Sequence, residues 1–357
     1  MPHLLVDISA HGYGHVAQTA PVANELARRI PGLRVTVRSS APLALLQQRF
    51  HCDFQQIPIA PDFGMKMANA VDVEIEQSAA AYRDYHAAWE AKVRRAAKEM
   101  RALQPDMLLA NVPYLSLAAA KVAGVRAAAM CCLNWADIYH HYCASAPTSA
   151  VIHAQMLEAY NSAEIFLKVQ PAMPMPDLSN AHSINPIAQL GGNQREKIIK
   201  GLPAANTEKL IIVAMGGIAY RLPMGHWPRI PGVCWLAPKG WNINRDDMIA
   251  FESLGLPFSD VLASCDAVLT KPGYGTFAEA ACSGVPVLYV SRRNWPEEPY
   301  LVQWLQQNGV CMEVERERLQ RGELQEVLEQ LWAMPKPPRP QASGAKEAAQ
   351  VLQEIFF

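Results

Sequence analysis

Short, continuous apolar runs alternate with amphipathic stretches along the whole chain, the pattern of stacked βαβ units. In the first half it predicts strands over 3–9, 33–38, 53–59, 107–110, 125–131 and 164–169, and helices over 15–30, 41–50, 114–123 and 147–161. A stretch rich in Ala, Arg, Lys and Glu, 73–103, reads as one long helix. The strands are unbroken runs such as Met107-Leu108-Leu109-Ala110 rather than alternations, so both faces of their sheet should be covered. Pro171, Pro174, Pro176 and Pro186 then remove the periodicity across 170–190, which suits a linker. The alternation restarts with strands over 210–215, 232–236, 266–270, 285–290 and 310–314, and helices over 259–264, 275–283, 297–308 and 317–332. After the stiff proline run from Pro335 to Pro340, a last helix is expected over 345–356, with Val351, Leu352, Ile355 and Phe356 as its apolar stripe. The expectation is a doubly wound α/β domain over 1–170, a linker over 171–190, a second such domain over 191–335 and a tail over 336–357. Ligands of such folds bind at the carboxyl ends of the strands.

Composition narrows the function classes. The 357 residues are 50% hydrophobic and 18% charged, enough chain for a real core in each of two domains. Lys+Arg 32 against Asp+Glu 33 leaves a formal charge of -1, with no global field for nucleic acid. No apolar stretch approaches the ~20 residues of a membrane span. Peripheral membrane contact through Ile59, Phe63, Met65 and Met67 is disfavoured for want of a basic face. The start, MPHLLVDISAHGYGH, has no basic n-region and no cleavage site, so a signal peptide is not expected. Cys52, Cys131, Cys132, Cys143, Cys234, Cys265, Cys282 and Cys311 form no C-x-x-C pair, and most stand in apolar runs. They read as reduced core thiols in a cytoplasmic protein.

Candidate chemistry lies in three glycine turns. The first, His11-Gly12-Tyr13-Gly14-His15, joins strand to helix, where backbone can approach an anion at a helix N-terminus. It lacks the third glycine of the dinucleotide fingerprint, and Val37-Arg38-Ser39-Ser40 offers no acid for a ribose, so a nicotinamide cofactor is disfavoured. The turn is either a tight βα connection or a site in which two histidines do chemistry. The second turn is Gly216-Gly217, straight after the strand 210–215. The third is Lys271-Pro272-Gly273-Tyr274-Gly275-Thr276, which opens the helix 275–283. A diphosphate there would meet backbone amides and the Thr276 hydroxyl, and Glu279 is placed either to bind a ribose diol or to complement the helix dipole. The aromatic, His-rich segment from Trp135 to Tyr142 is suited to stacking a sugar or to capping the core.

Together these turns resemble the GT-B glycosyltransferases, most closely the inverting group that contains the peptidoglycan GlcNAc transferase and the UDP-glucuronosyltransferases. Gly14-His15-Val16 matches the element that opens their first helix, and Gly192-Asn193-Gln194-Arg195 a shortened form of Gly-Asn-x-x-Arg. The most specific match runs from Gly273 to Pro286, which fits Gly-x-x-Thr-x-x-Glu-Ala-x-x-x-Gly-x-Pro. The first turn also resembles the amino-terminal segment of plant-type arabinose kinases and the nucleotide-sugar hydrolase of pseudaminic acid synthesis.

The resemblance implies two doubly wound, Rossmann-like domains facing a cleft, with the tail helix crossing back to the first domain. It implies inverting, metal-independent transfer from a nucleoside-diphosphate sugar, UDP above others, to an acceptor hydroxyl, without a cofactor. His15 would be the base, with Asn111 holding its ring where many relatives carry Asp, and Gly12, Tyr13 and Gly14 would lie near the donor phosphates. Arg195, Gly216, Gly217, Gly273, Tyr274, Gly275 and Thr276 would contact the diphosphate, and Arg221 would compensate for Ile218 in place of a serine. Glu279 would hold the ribose, Phe258 would lie at the uracil, Asn134 would face the cleft, and Glu297 or Glu298 would read the donor sugar. Retaining relatives carry a second Glu where Lys271 stands, and the chain has no Asp-x-Asp; both features favour inversion without a metal. A hydrolase on the same scaffold, or a non-catalytic nucleotide-sugar sensor, are the alternatives. The acceptor would bind the first domain through loop 60–72 and the Trp135 to Tyr142 segment.

Overall fold

Strand β1 (His3–Ile8) is buried along its whole length, as its unbroken apolar run requires, and the first sheet is built outward from it. The computed structural model describes residues 1–202, 206–217 and 221–357. Ile218, expected to stand where relatives have a phosphate-binding serine, therefore lies outside the described residues. The described chain divides into two units, Met1–Ala68 with Asp72–Ile187 and Ser343–Phe357, and Asn69–Val71 with Ala188–Ala342.

In the first unit β1 is followed by α1 (Tyr13–Arg29), β2 (Arg34–Arg38), α2 (Leu43–Arg49), β3 (Gln55–Ile57), α3 (Ile75–His86) and α4 (Trp89–Leu103). Then come β4 (Met107–Asn111), α5 (Tyr114–Ala123), β5 (Arg126–Cys131), α6 (Trp135–Cys143), α7 (Ser149–Asn161), β6 (Ile165–Val169) and β7 (Ala181–Ile184). The seven strands are parallel in the order β3-β2-β1-β4-β5-β6-β7. That order reverses direction between β1 and β4, the switch point at which doubly wound sheets bind ligands. On β2, Arg38 aligns with Asp7 of β1 and donates from Nε to Asp7 Oδ1 at 2.7 Å. The strand end where a nicotinamide enzyme keeps an acid thus carries a buried cation already paired.

The second unit contains α8 (Arg195–Lys200), β8 (Lys209–Ala214), β9 (Val233–Ala237), β10 (Met248–Ala250), α9 (Phe258–Ala263), β11 (Ala267–Thr270) and α10 (Tyr274–Ser283). It closes with β12 (Val287–Tyr289), α11 (Glu298–Asn308), β13 (Cys311–Glu313), α12 (Arg316–Arg321) and α13 (Gln325–Ala333). Its six strands run β10-β9-β8-β11-β12-β13, all parallel, with the reversal between β8 and β11. Two doubly wound Rossmann-like sheets are therefore present, as the alternation predicts.

The elements depart from expectation in places. Residues 181–184, inside the proline-bearing stretch expected to be linker, form β7 and extend the sheet beside β6. The helix expected over 73–103 breaks between α3 and α4, where the rings of His86 and Trp89 stack at 4.8 Å against each other. The helix expected over 317–332 breaks at Gly322, which has φ 70°. A Cβ there would lie 2.3 Å from Trp227 Cγ, so only glycine lets the chain turn against that indole.

The last helix, α14 (Gly344–Phe356), belongs to the first unit and packs against α1 and β7. Its buried stripe is Gly344, Ala348, Ala349 and Leu352, while Val351, Ile355 and Phe356 lie at the margin. A Cβ on Gly344 would lie 2.0 Å from the Asn185 carbonyl oxygen, and Glu347 accepts from Asn185 N at 2.9 Å and from Asn185 Nδ2 at 2.7 Å. Leu352 is the one large side chain on the stripe and is fully buried. Leu352→Ala should cost about 2–5 kcal/mol, the usual loss for a buried leucine whose cavity does not close. Chemical denaturation measures it, and a loss under about 1 kcal/mol would show that α14 is not anchored there.

Candidate functional site

The chemistry-bearing residues gather at the two switch points, and each is described within its own unit. In the first, the turn after β1 delivers Gly12 as the N-cap of α1, with no side-chain cap on the helix. Tyr13 and Gly14 form the first turn, and Tyr13 is exposed. His15 follows, 7% exposed. Its Nδ1 is 2.8 Å from Asn111 Oδ1, at the end of β4, the strand beyond the switch point. Asn111 Nδ2 donates to Gln18 Oε1 at 3.2 Å, and Gln18 Nε2 donates to Cys132 Sγ at 2.9 Å. The amide oxygen therefore faces the ring, and Nδ1 carries the hydrogen that donates to it. In the neutral ring the lone pair is then on Nε2, which has no hydrogen-bond partner among the described residues.

The ring's remaining surroundings are aromatic, anionic and thiol. Trp135 lies 5.9 Å from His15 and 4.9 Å from His11, centroid to centroid. Asp62 is buried and accepts from Ser9 Oγ at 2.7 Å, Ala10 N at 3.0 Å and Trp135 Nε1 at 2.8 Å. It ties the turn to the indole and contributes negative charge near His15. Burial raises its carboxyl above the ordinary range, against the pull of Ser9 and His15. Gly64, at φ 60°, brings loop 60–72 so close that a Cβ would lie 2.6 Å from His11 Nδ1 and 2.7 Å from Trp135. Cys131 Sγ, at the end of β5, is 3.7 Å from His15 Nδ1. Burial opposes charge on both groups, but contact with the Cys131 sulfur raises His15 to about 9. Burial likewise pushes the thiol up, and hydrogen bonds from Cys132 and His15 bring it down to about 6. Asn134 caps α6, its Oδ1 accepting from Asp137 N at 2.8 Å, while its buried Nδ2 has no partner among the described residues.

In the second unit Gly216 and Gly217 follow β8, and the turn from Lys271 to Thr276 follows β11, so they too flank a reversal of strand order. The Lys271 side chain crosses between the turns. A Cβ on Gly216 would lie 3.6 Å from its Cε and 3.8 Å from Nζ, and one on Gly273 3.5 Å from Nζ. Among the described residues the ammonium has no ion pair or hydrogen bond. Burial, with the Arg292 charge, lowers it to about 7, against the opposing influence of Glu297 and Glu298. Gly273 is the N-cap of α10, which has neither a side-chain cap nor an acid in its first turn. Tyr274 is buried; Gly275 and Thr276 are partly exposed. Glu279 is 2% exposed, so it is not the solvated charge that a helix-dipole role alone requires.

Other expected residues make contacts within their own unit. Arg195 donates from Nη1 to Asp266 Oδ2 at 2.6 Å and from Nη2 to the Glu208 carbonyl at 2.6 Å. Those residues precede β11 and β8, so its guanidinium is spent at the amino edge of the sheet, opposite the glycine turns. Gly192 N donates to Asp260 Oδ1 in the first turn of α9 at 2.9 Å, and Arg195 Nη1 also donates to the Ser264 carbonyl at 3.3 Å. Glu297 accepts from Trp295 Nε1 at 2.9 Å, and Glu298 from Arg292 N at 2.8 Å, so both shape their own loop. Phe258 opens α9 and packs its ring 6.0 Å from Phe251. Arg221 is exposed beside a shallow hollow lined also by His226 and Asn242. Sequence reading missed Asp62 and Gln18, which no motif marks, and took Cys131 for core because it ends an apolar run. Among the described residues no group of His, Cys, Asp or Glu could hold a metal ion, and no helix is long and apolar enough to cross a membrane.

No family model matches the chain. The L-arabinokinase of Arabidopsis thaliana is 24% identical over 370 residues, covering 97% of this chain and 34% of that protein. The chain thus spans about a third of the length of the curated relative it matches. Among solved structures, the calicheamicin glycosyltransferase CalG4 superposes with a TM-score of 0.61 at 16% identity, over 99% of this chain and 94% of that one. Phytolacca americana UGT2, complexed with UDP-2fluoro-glucose and pterostilbene, does so with a TM-score of 0.57 at 14% identity, over 99% and 94%. At such identities the likeness establishes the fold, which is GT-B.

Asp62 is the test of how the first turn is held. Asp62→Ala leaves the buried Ser9 hydroxyl and Trp135 indole N–H without their acceptor, at about 1–3 kcal/mol each, and frees the Ala10 amide. Asp62→Asn, which presents one acceptor oxygen and one amino group, should cost less. An unchanged denaturation midpoint in Asp62→Ala would show that the turn does not depend on this carboxylate.

Proposed function

We propose that this chain is an inverting, metal-independent glycosyltransferase that moves a sugar from a UDP-sugar to an acceptor hydroxyl. One observation carries the reading: each sheet's switch point holds one half of that chemistry. The second unit has a helix start without a side-chain cap, two glycine turns and an ammonium without a partner among the described residues, a combination that suits a diphosphate. The first has a histidine whose Nδ1 hydrogen is fixed, leaving Nε2 as a base. The UDP-2fluoro-glucose complex of a GT-B relative agrees with the choice of donor.

In the proposed step the acceptor O–H gives its proton to His15 Nε2 as its oxygen attacks the anomeric carbon. The bond from that carbon to the diphosphate oxygen breaks on the opposite face, which inverts the centre. The leaving negative charge falls to the first amides of α10, the Thr276 hydroxyl and Lys271, an electrostatic route that needs no metal. Glu279, buried one turn further on, binds the ribose, and Phe258 lies toward the uracil. Arg195 has no part in this scheme, since its guanidinium is already paired.

UDP should therefore raise the melting temperature more than NAD, ATP or GDP does, and Glu279→Ala should reduce the shift. A response to NAD or ATP and none to UDP would overturn the reading. His15→Ala should lower turnover by roughly 10²–10⁴-fold with UDP binding nearly intact. Fast release of UDP without acceptor would indicate the hydrolase, and donor binding without any release, in acceptor extracts included, the sensor.

Lys271 gives a proton signature. At pH 8 an empty site with Lys271 at about 7 holds it mostly neutral. An arriving diphosphate favours the ammonium, so binding should take up to about one proton from the buffer. Titration calorimetry in buffers of different ionisation enthalpy counts it. Equal proton counts in wild type and Lys271→Met would remove Lys271 from the diphosphate site.

A further inference from the structure

Of the buried groups that the proposed step leaves unused, Cys131 touches the imidazole of the base. It ends β5, which lies beside β4, so its side chain and that of Asn111 converge on one atom of the His15 ring. The amide oxygen is 2.8 Å and the sulfur 3.7 Å from Nδ1, and both residues are fully buried. We propose that Cys131 is a positioning residue whose thiolate supplies the negative charge that the neutral Asn111 amide lacks, so that His15 and Cys131 act as one acid–base pair. The proposal deepens the transferase reading and rests on His15 being its base.

The physical need is specific. Asn111 accepts the Nδ1 hydrogen and orients the ring but cannot balance the imidazolium that forms when Nε2 gains a proton. In a site this dry an unbalanced charge is costly. Asp62 offers charge across space, but its hydrogen bonds go to Ser9, Ala10 and Trp135. The sulfur is in contact, and Cys132 and the Leu133 amide favour its anion. Burial alone would hold His15 below 6.5 and the thiol above 9; side by side, the two are drawn to about 9 and about 6. Between those values the pair keeps one dissociable proton, as imidazolium beside thiolate. The reactive form is the pair after that proton has left, neutral imidazole beside thiolate. The acceptor proton then moves from oxygen to Nε2, the new C–O bond forms as the bond to diphosphate breaks, and the imidazolium, again facing thiolate, returns its proton to water.

Thiolate absorbance and the NMR titration of the His15 ring test this without donor or acceptor. Burial pushes the thiols of Cys143, Cys282 and Cys311 up to about 11 and Cys234 up to about 12, and raises Cys52 and Cys265 as well. A thiolate formed near pH 6 and lost in Cys131→Ser therefore reports the pair. In that variant the His15 titration should fall below 6.5, and the ascending limb of turnover against pH should move acidward by about two units or more, with a lower plateau. The double variant Cys131→Ser/Asn111→Asp should bring the raised titration back. A merely structural role for the thiol would lower the plateau without moving the limb. The proposal is overturned by wild type that shows no thiolate below pH 8, or by a limb that stays in place in Cys131→Ser. Should that variant not fold, His15→Gln decides, since the thiolate must then form only at higher pH; an unchanged thiolate overturns the pair. Both titrations as described, in a protein that neither binds UDP nor turns over, would support the pair and sink the transferase reading. UDP binding and turnover without the thiolate would sink the pair alone.

Discussion

The hydrogen bond between His15 Nδ1 and Asn111 Oδ1 sets the conditions for the whole carboxyl edge of the first sheet. It decides which ring nitrogen keeps a lone pair, and therefore what the histidine can do. It exists because β1 and β4 are neighbours across the switch point, with Ile8 level with Asn111 and Ser9 N bonded to the Asn111 carbonyl at 2.7 Å. A slip of one residue in β4 would turn the amide to the other face of the sheet. Sheet order, strand register and tautomer are thus one constraint seen at three scales.

The two units meet opposite electrostatic problems with opposite means. In the proposed transfer the second unit would hold a concentrated negative charge with backbone dipoles, small residues and a lysine kept close to neutrality until an anion arrives. Gly216, at φ 82°, adopts a backbone conformation that favours glycine, beside the Lys271 chain. In the same scheme the first unit must stabilise positive charge on the His15 ring. Its answer is local anions around the ring rather than open solvent, which would weaken every interaction there.

Much of the fold was legible because continuous apolar strands and amphipathic helices obey short-range rules. The failures are equally physical. The strand β7 is only half apolar and follows prolines, so its place depends on β6, which no local pattern reveals. The helix break between α3 and α4 lies beside the stacked His86 and Trp89 rings, and the turn at Gly322 lies against the distant Trp227 indole. At the site, glycines and His15 were marked by motif spacing, since backbone approach and helix starts leave a trace in sequence. Arg195 matched a motif one residue short, and its guanidinium pairs with Asp266. Asp62 and Cys131 carry no such mark, because what they do depends on which strand and loop ends meet at the ring.

Asp62 and Cys131 also show why a carboxylate nearby does not replace one in contact. Asp62 is fully committed: one oxygen serves Ser9 and Ala10, the other Trp135. Turning either toward His15 would leave a buried donor unsatisfied, a cost comparable to anything gained. Its charge reaches the ring only through space. The sulfur of Cys131 has no such duties toward the turn, stands at the end of the next strand, and is large enough to meet Nδ1 beside the amide. The charge that the amide on β4 does not supply would thus come from β5. The geometry of the ring is kept by an amide, while its charge balance is handed to a thiol.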